Sequence, residues 1–225
     1  MCDARLWSRM HWPAEPVDVD LTGSNSIAAL ARSALEQAPE RFIAVGFSMG
    51  GIVAIHLAQL AGERMCGVIL LDTNPGADTQ DKRRARRRQQ SRARAGELDR
   101  VVIDELTPSY LARGHRARAD LLDLTLTMAR DLGPETFCLQ ASALENRPDA
   151  WRLLEAMTCP VLVACGAEDE LCPPDLHRRI AEACPDSELQ VICGAGHLLP
   201  LEQPDALSAA IADWTKRRVT GERHG

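Results

Sequence analysis

Gly46-Phe47-Ser48-Met49-Gly50-Gly51 is the stretch whose reading decides the fold. An apolar run, Phe42-Ile43-Ala44-Val45, leads into it, and a helical run, Ile52-Val53-Ala54-Ile55-His56-Leu57-Ala58, leaves it. Strand, G-x-S-x-G, helix is the context of a nucleophile elbow, a sharp reversal that holds a serine in a strained backbone conformation. Flanking glycines are expected because a Cβ there would meet the neighbouring strand and helix. Average Gly and Ser usage produces the bare pentapeptide in about one chain in ten of this length. The context, not the pentapeptide, therefore carries the argument.

Composition narrows the class. At 225 residues and 45% hydrophobic content the chain suits one α/β domain with an insertion. A net charge of −6 argues against a general binder of nucleic acid or anionic membranes. No apolar run reaches the length of a membrane span. The opening Met1-Cys2-Asp3-Ala4-Arg5 lacks the apolar segment of a signal peptide, so a cytoplasmic location is expected. The eight cysteines form no C-x-x-C pair and read as small apolar filler in a reducing compartment. Cys159, Cys165 and Cys193 fall in or beside strand signals, and Cys184 closes a helix. Neither a metal nor a cofactor is expected.

Along the chain, Ala4 to Met10 is a short helix candidate, and the alternating Val17-Asp18-Val19-Asp20-Leu21 reads as a strand. Ser24, Asn25 or Ser26 caps a helix over Ile27 to Gln37. Phe42 to Val45 and Val68 to Asp72 are strands, the second a continuous apolar run of the kind buried in parallel sheets. Residues 76–157 carry helical signals at about 79–95, 97–106, 117–131, 135–145 and 149–157 and no convincing strand. Strand signals resume at Pro160 to Cys165 and Glu188 to Cys193, with helices at Pro174 to Ala183 and Pro204 to Arg217. Alternating strands and helices predict a parallel α/β sheet. Its core comprises residues 1–75 and 158–225, and residues 76–157 form a helical lid insertion over one end. The tail Lys216 to Gly225 reads as polar and frayed.

A serine hydroxyl needs a base in hydrogen-bond reach and an acid to orient that base. Two segments lie directly after apolar strands and supply them: Gly166-Ala167-Glu168-Asp169, and Gly196-His197-Leu198-Leu199-Pro200-Leu201-Glu202-Gln203-Pro204. Ser48, Asp169 and His197 all fall on loops beyond the carboxyl ends of strands, where open α/β sheets collect ligands. Glu168, Glu170 and Asp72 are the competing acids. Glu202 reads as a helix-start residue, His56 as a packing or surface residue, and His11, His115 and His177 show no partner pattern. The run Lys82-Arg83-Arg84-Ala85-Arg86-Arg87-Arg88 surrounds a helix without interleaved aromatics. That favours a solvated lid helix over a nucleic-acid site, with anion steering toward an acidic substrate as the other reading.

These residues resemble the α/β-hydrolase fold, in the style of bacterial carboxylesterases, enol-lactonases and cofactor-free haloperoxidase-like proteins. G-F-S-M-G-G at 46–51, G-x-x-D at 166–169 and G-H-x-x-x-x-E-x-P at 196–204 carry the resemblance, which covers 41–74 and 158–217. It implies Ser48 as nucleophile, His197 as general base, Asp169 as orienting acid and the Met49 N–H as an oxyanion donor. It implies a small or medium carboxylic ester or lactone as substrate. A C–C hydrolase, a perhydrolase, or a silent homologue binding a small ligand are the alternatives. Leu98, Val101, Val102, Leu106, Leu122, Leu126 and Met128 are candidates for an acyl pocket or for gluing the lid to the core.

The resemblance also implies three earlier strands, the last ending in a His-Gly turn that completes the oxyanion hole. This sequence shows none of them, and Cys2 to Trp7 resembles the residues just after that turn. Either further fold lies upstream, or the Val17–Leu21 strand pairs directly with the elbow strand and the N–H of Met1, Cys2 or Asp3 fills the hole.

Overall fold

The computed structural model describes residues 1–219 and Gly221. Four strands, β1 (Phe42–Phe47), β2 (Met65–Leu71), β3 (Val161–Gly166) and β4 (Ser187–Ile192), form one parallel sheet in the order β1-β2-β3-β4. Alternate side chains of the central strands point to opposite faces, and each face is covered. Val68, Leu70, Val161 and Val163 meet Leu30, Ile52, Ile55 and Ile180 of helices α1 (Ile27–Gln37), α2 (Met49–Ala61) and α7 (Pro174–Ala183). On the other face, Ile69, Leu71, Leu162 and Ala164 meet Leu207, Ile211 and Trp214 of α9 (Pro204–Arg218). That helix runs three residues, Lys216 to Arg218, into the segment read as a frayed tail. The rest of the tail, Gly221 apart, lies outside the described residues.

Between β2 and β3 the chain forms α3 (Gln80–Arg92), α4 (Leu98–Arg100), α5 (Ala119–Glu145) and α6 (Trp151–Glu155), with wider and tighter turns between them. The two helical stretches expected on either side of Gly133-Pro134 are present as the two arms of α5, which is broken at Gly133, whose φ 78° and ψ 169° are not helical. The block leaves and rejoins the sheet through one stitched stem. Ala150 N–H donates to Pro75 O at 2.9 Å, and Arg147 Nε–H donates to Gly76 O at 2.9 Å. Leu98, Val101 and Val102 pack inside the block with Phe137 and Ala141. Met128 packs with Leu111, Leu121 and Leu198.

Two expectations for the amino-terminal region fail. Ala4–Trp7 is a single 3₁₀ turn capped by Asp3 rather than a helix to Met10. Val17–Leu21 is not a strand and pairs with nothing in the sheet among the described residues, so it does not join the elbow strand. Its alternation had no buried face behind it, since Val17 is 60% exposed and Val19 36%. β1 is thus an edge strand, screened on one face by Trp7 and Trp12 packed near Phe47, Ile43 and Val45.

The reversal from β1 into α2 is tight. Ser48 has φ 50° and ψ −112°, outside the regions ordinary residues favour. A Cβ on Gly46 would stand 2.3 Å from Gly50 O, and one on Gly51 2.6 Å from Thr73 Oγ1. Gly50 differs from the expectation, because a Cβ there meets nothing nearer than Leu21 Cδ1 at 3.8 Å. Gly46→Ala or Gly51→Ala is therefore expected to lower Tm by about 5–10 °C through overpacking. Gly50→Ala is expected to stay within about 2 °C of the parent. Thermal denaturation of the three variants checks this.

Candidate active site

Ser48, Asp169 and His197 arrive from three loops at the carboxyl ends of β1, β3 and β4. Ser48 N–H donates to Leu71 O at 2.8 Å, tying the elbow to β2. Thr73, just past β2, donates its Oγ1–H to Ser48 O at 2.6 Å. His197 Nε2 lies 3.1 Å from Ser48 Oγ, and His197 Nδ1 lies 2.9 Å from Asp169 Oδ2. The imidazole stands between two rings, with centroids 5.1 Å from Phe47 and 5.6 Å from Tyr110. The three side chains thus form one hydrogen-bonded line ending at the serine oxygen.

The electrostatics separate the acids. Burial alone would push Asp169 up, but His197 and the N–H groups of Cys172 and Leu171 outweigh it and hold the carboxylate below its usual range. Those N–H groups donate to Asp169 Oδ1 at 2.9 and 2.8 Å. Asp72 accepts one N–H, from Gly166 at 3.0 Å. Burial, then the charge of Asp169, pushes the Asp72 carboxyl well above the carboxylate range. Glu168 accepts Arg113 N–H at 3.0 Å and Glu170 pairs with Arg116 at 2.7 Å, so both engage the helical block. Donors of Asp169, Cys172 and His197 lie within 4.8 Å of one another. Burial pushes the Cys172 thiol well up, and the other two groups already engage each other, so this set suits a proton relay better than a metal.

Three supporting residues carried no sequence signal of their role. Glu202, buried, accepts Gly196 N–H at 2.8 Å through Oε1 and Ala112 N–H at 2.8 Å through Oε2. His115 Nδ1 is 2.9 Å from the same Oε2. Glu202 thereby joins the histidine loop to the helical block, helped by Leu198 N–H donating to Tyr110 O at 3.0 Å. His177 Nε2 accepts Thr73 N–H at 3.1 Å, which puts the ring proton on Nδ1, 3.3 Å from Pro173 O. His56 is half-buried, and burial pulls its pKa down.

Ser48 and His197 open onto a cavity of about 1390 Å³ that extends along the edge of β1. Met49, the expected oxyanion donor, opens α2, so its N–H belongs to the unsatisfied first turn. Cys2 packs beside Phe47 and Tyr110, which brings the segment Met1 to Asp3 into the cavity wall. Of the seven apolar residues offered for an acyl pocket or for gluing the lid to the core, Leu106 lines the cavity and the other six pack the block, as expected of most of them. Tyr110, Phe137 and Leu144 line it instead, because the others are used to pack the block on itself and on the core.

Residues 9–210 match the alpha/beta hydrolase family, and the chain belongs to it. It is 25% identical over 203 residues to a pimeloyl-[acyl-carrier protein] methyl ester esterase of Yersinia enterocolitica, covering 88% of this chain and 78% of that protein. A solved thermophilic esterase from Thermogutta terrifontis, malate bound, superposes with a TM-score of 0.85 at 27% identity, covering 97% of this chain and 87% of that one. The biotin biosynthesis bifunctional protein BioHC of Cellvibrio japonicus is 25% identical over 97% of this chain. The chain spans 46% of the length of BioHC, and 64% of that of a Bacillus subtilis relative. No helix among the described residues is long and apolar enough to cross a membrane.

The supporting residues carry two expected outcomes. Burial pulls the pKa of His177 down to about 4, against about 6.5 in an unfolded chain. The neutral ring is the one the fold uses, so its contribution is complete above pH 6.5 and lost as pH falls toward 4. The linked loss is roughly 3 kcal/mol. Denaturant titrations at pH 7 and pH 4 should show a wild-type stability drop that His177→Gln reduces. Glu202→Ala leaves two buried N–H groups unpaired and is expected to cost about 3 kcal/mol, with Glu202→Gln recovering part of it.

Proposed function

We propose that this chain is a serine hydrolase that cleaves a carboxylic ester or lactone through an acyl-enzyme on Ser48. The observation that carries the reading is the hydrogen-bonded line from Ser48 Oγ through His197 to Asp169, at 3.1 and 2.9 Å, behind a serine at φ 50°. The esterase names of relatives support ester hydrolysis as the class of reaction.

In the reading, Ser48 Oγ attacks the substrate carbonyl while its proton passes to His197 Nε2. Asp169 stabilises the resulting imidazolium without taking the proton. The carbonyl oxygen gains charge and is met by the Met49 N–H at the positive end of α2. A second donor is assigned to the segment Met1 to Asp3, which lines the cavity. Collapse of the tetrahedral species expels the alcohol, which leaves with the proton from His197. Water, activated by the same histidine, then frees the acid and restores Ser48. Residues 76–157 act as a lid, its Tyr110 to Ala112 corner tied to the histidine loop through Glu202.

A fluorophosphonate probe is expected to label the protein at Ser48, and Ser48→Ala to abolish the label. Asp169→Asn and His197→Gln are expected to lower kcat/KM on p-nitrophenyl esters by about 10³-fold or more. Labelling that persists in Ser48→Ala would overturn the assignment.

A further inference from the structure

We propose that the substrate is an ester of an aromatic alcohol, of the benzyl type, whose ring seats beside Ser48 against the rings of Phe47 and Tyr110. The inference rests on the ester-hydrolase reading and names its substrate class.

The chain is poor in rings, with three Phe, one Tyr and four Trp in 225 residues. Six of them, Trp7, Trp12, Phe42, Phe47, Tyr110 and Phe137, line the cavity that Ser48 and His197 share. The other two are used elsewhere: Trp214 is 1% exposed against the sheet, and Trp151 lies under the Arg179 guanidinium at 4.9 Å. Phe42 opens β1, at the end away from Ser48, and lies under Arg64 at 5.7 Å. Phe137 packs inside the helical block. Trp7, Trp12, Phe47 and Tyr110 remain, and they gather at the reacting end.

These four rings and the catalytic imidazole form one continuous line. Trp12 lies 5.6 Å from Trp7, and Trp7 stands edge-on to Phe47 at 6.5 Å and 87°. Phe47 lies 5.1 Å from the His197 ring on one side, and Tyr110 lies 5.6 Å from it on the other. All four are large and mainly apolar, yet each is only half-buried, so ring surface stays open to the cavity. Their positions are set from outside it. Phe47 directly precedes the strained Ser48, and Trp7 sits in the 3₁₀ turn capped by Asp3. Tyr110 O accepts the N–H of Leu198, the residue after His197, at 3.0 Å. Burial pushes the Tyr110 phenol up, so it offers a neutral ring rather than a charge. A wall of fixed rings pairs with another ring at little cost in freedom.

The chemistry decides which half of the ester meets these rings. His197 Nε2, 3.1 Å from Ser48 Oγ, takes the serine proton and returns it to the oxygen of the leaving alcohol. That oxygen must therefore come within hydrogen-bond reach of the imidazole. The carbon bonded to it then lies beside the rings that flank the imidazole, while the acyl group extends from the other side of the reacting carbon. One methylene between that oxygen and a ring is enough to bring ring against ring. Aromatic pairs favour centroid separations of about 4.5–7 Å in edge-on or offset arrangements. Trp7, Phe47, His197 and Tyr110 already keep that spacing among themselves. A saturated alcohol of equal size gains only the area it buries, whereas an aromatic one also gains the ring-to-ring attraction.

The test compares benzyl acetate with cyclohexylmethyl acetate, and methyl phenylacetate with methyl cyclohexylacetate, on the wild type, Tyr110→Phe and Tyr110→Leu. Each kcat/KM is divided by the hydroxide-catalysed rate of the same ester, so that leaving-group acidity drops out. Benzyl acetate is expected to exceed its saturated match by about 5- to 20-fold. The pair with the ring on the acyl side is expected to differ by less than about 2-fold. The alcohol-side ratio should survive Tyr110→Phe, which keeps the ring, and fall at least about 2-fold in Tyr110→Leu. Both variants keep the Tyr110 carbonyl that holds Leu198, and the wild-type comparison stands even where Tyr110→Leu does not fold. Equal turnover of benzyl and cyclohexylmethyl acetate, a preference confined to the acyl-side ring, or a ratio unmoved in Tyr110→Leu overturns the proposal and leaves the hydrolase reading standing. Tryptophan fluorescence of Ser48→Ala titrated with the two acetates separates the two ideas. Tighter binding of benzyl acetate that Tyr110→Leu removes supports the aromatic pocket even if no ester is turned over, an outcome that overturns the hydrolase reading alone.

Discussion

Ser48 cannot relax. Its backbone sits at φ 50° because β1 enters and α2 leaves within a few residues, with Gly46 and Gly51 letting strand, helix and Thr73 approach closely. Such a conformation costs on the order of 1–3 kcal/mol and persists only where the surroundings over-determine it. The surroundings here are specific: Ser48 N–H is held by Leu71 O and Ser48 O by the Thr73 hydroxyl. Thr73 is in turn held by the buried His177. The hydroxyl consequently points out of the sheet edge toward His197, and its position is set by β2 and α7 as much as by its own motif.

Of three buried acids near this point, two are set apart by their hydrogen-bond donors and the third serves as a brace. Asp169 receives two N–H groups and an imidazole and remains charged. Asp72, just past β2, receives one N–H and feels the charge of Asp169, and its carboxyl is pushed well above the carboxylate range. Glu202 is used to pin Gly196 and Ala112. Proximity to His197 alone would not rank them. Between Asp169 and Asp72 the number of donors does, because in a water-poor site those donors replace the solvation that burial removes.

The same distinction explains what the sequence could reveal. The elbow, the parallel strands and the loops bearing Asp169 and His197 are legible because apolar runs, glycines and chain order are local signals. Val17–Leu21 misleads because alternation alone does not supply a partner strand, and its valines are exposed. Thr73 and His177 are illegible because each bonds a backbone group delivered by a distant segment, and such contacts leave no spacing to read; the Glu202 bond to nearby Gly196 lies within the 196–204 spacing, but its bond to distant Ala112 does not. The apolar positions of residues 76–157 were legible as helix faces. Which of them would face the cavity depended on how the block packs on itself: Leu106, Phe137 and Leu144 do, and Leu98, Val101, Val102 and Met128 do not.

That packing also ties the attachment of the helical block to the character of the cavity. Arg147 closes the stem by bonding Gly76 O and contacting Asp78, and Asp78 reaches Arg86 on α3. The residues that fix where the block leaves and rejoins the sheet are therefore the residues that make its inner wall cationic. Replacing Asp78–Arg147 with an apolar pair of similar volume would preserve a packed stem, since buried ion pairs contribute little net stability over such replacements. It would remove the second guanidinium and free Arg86 from its partner.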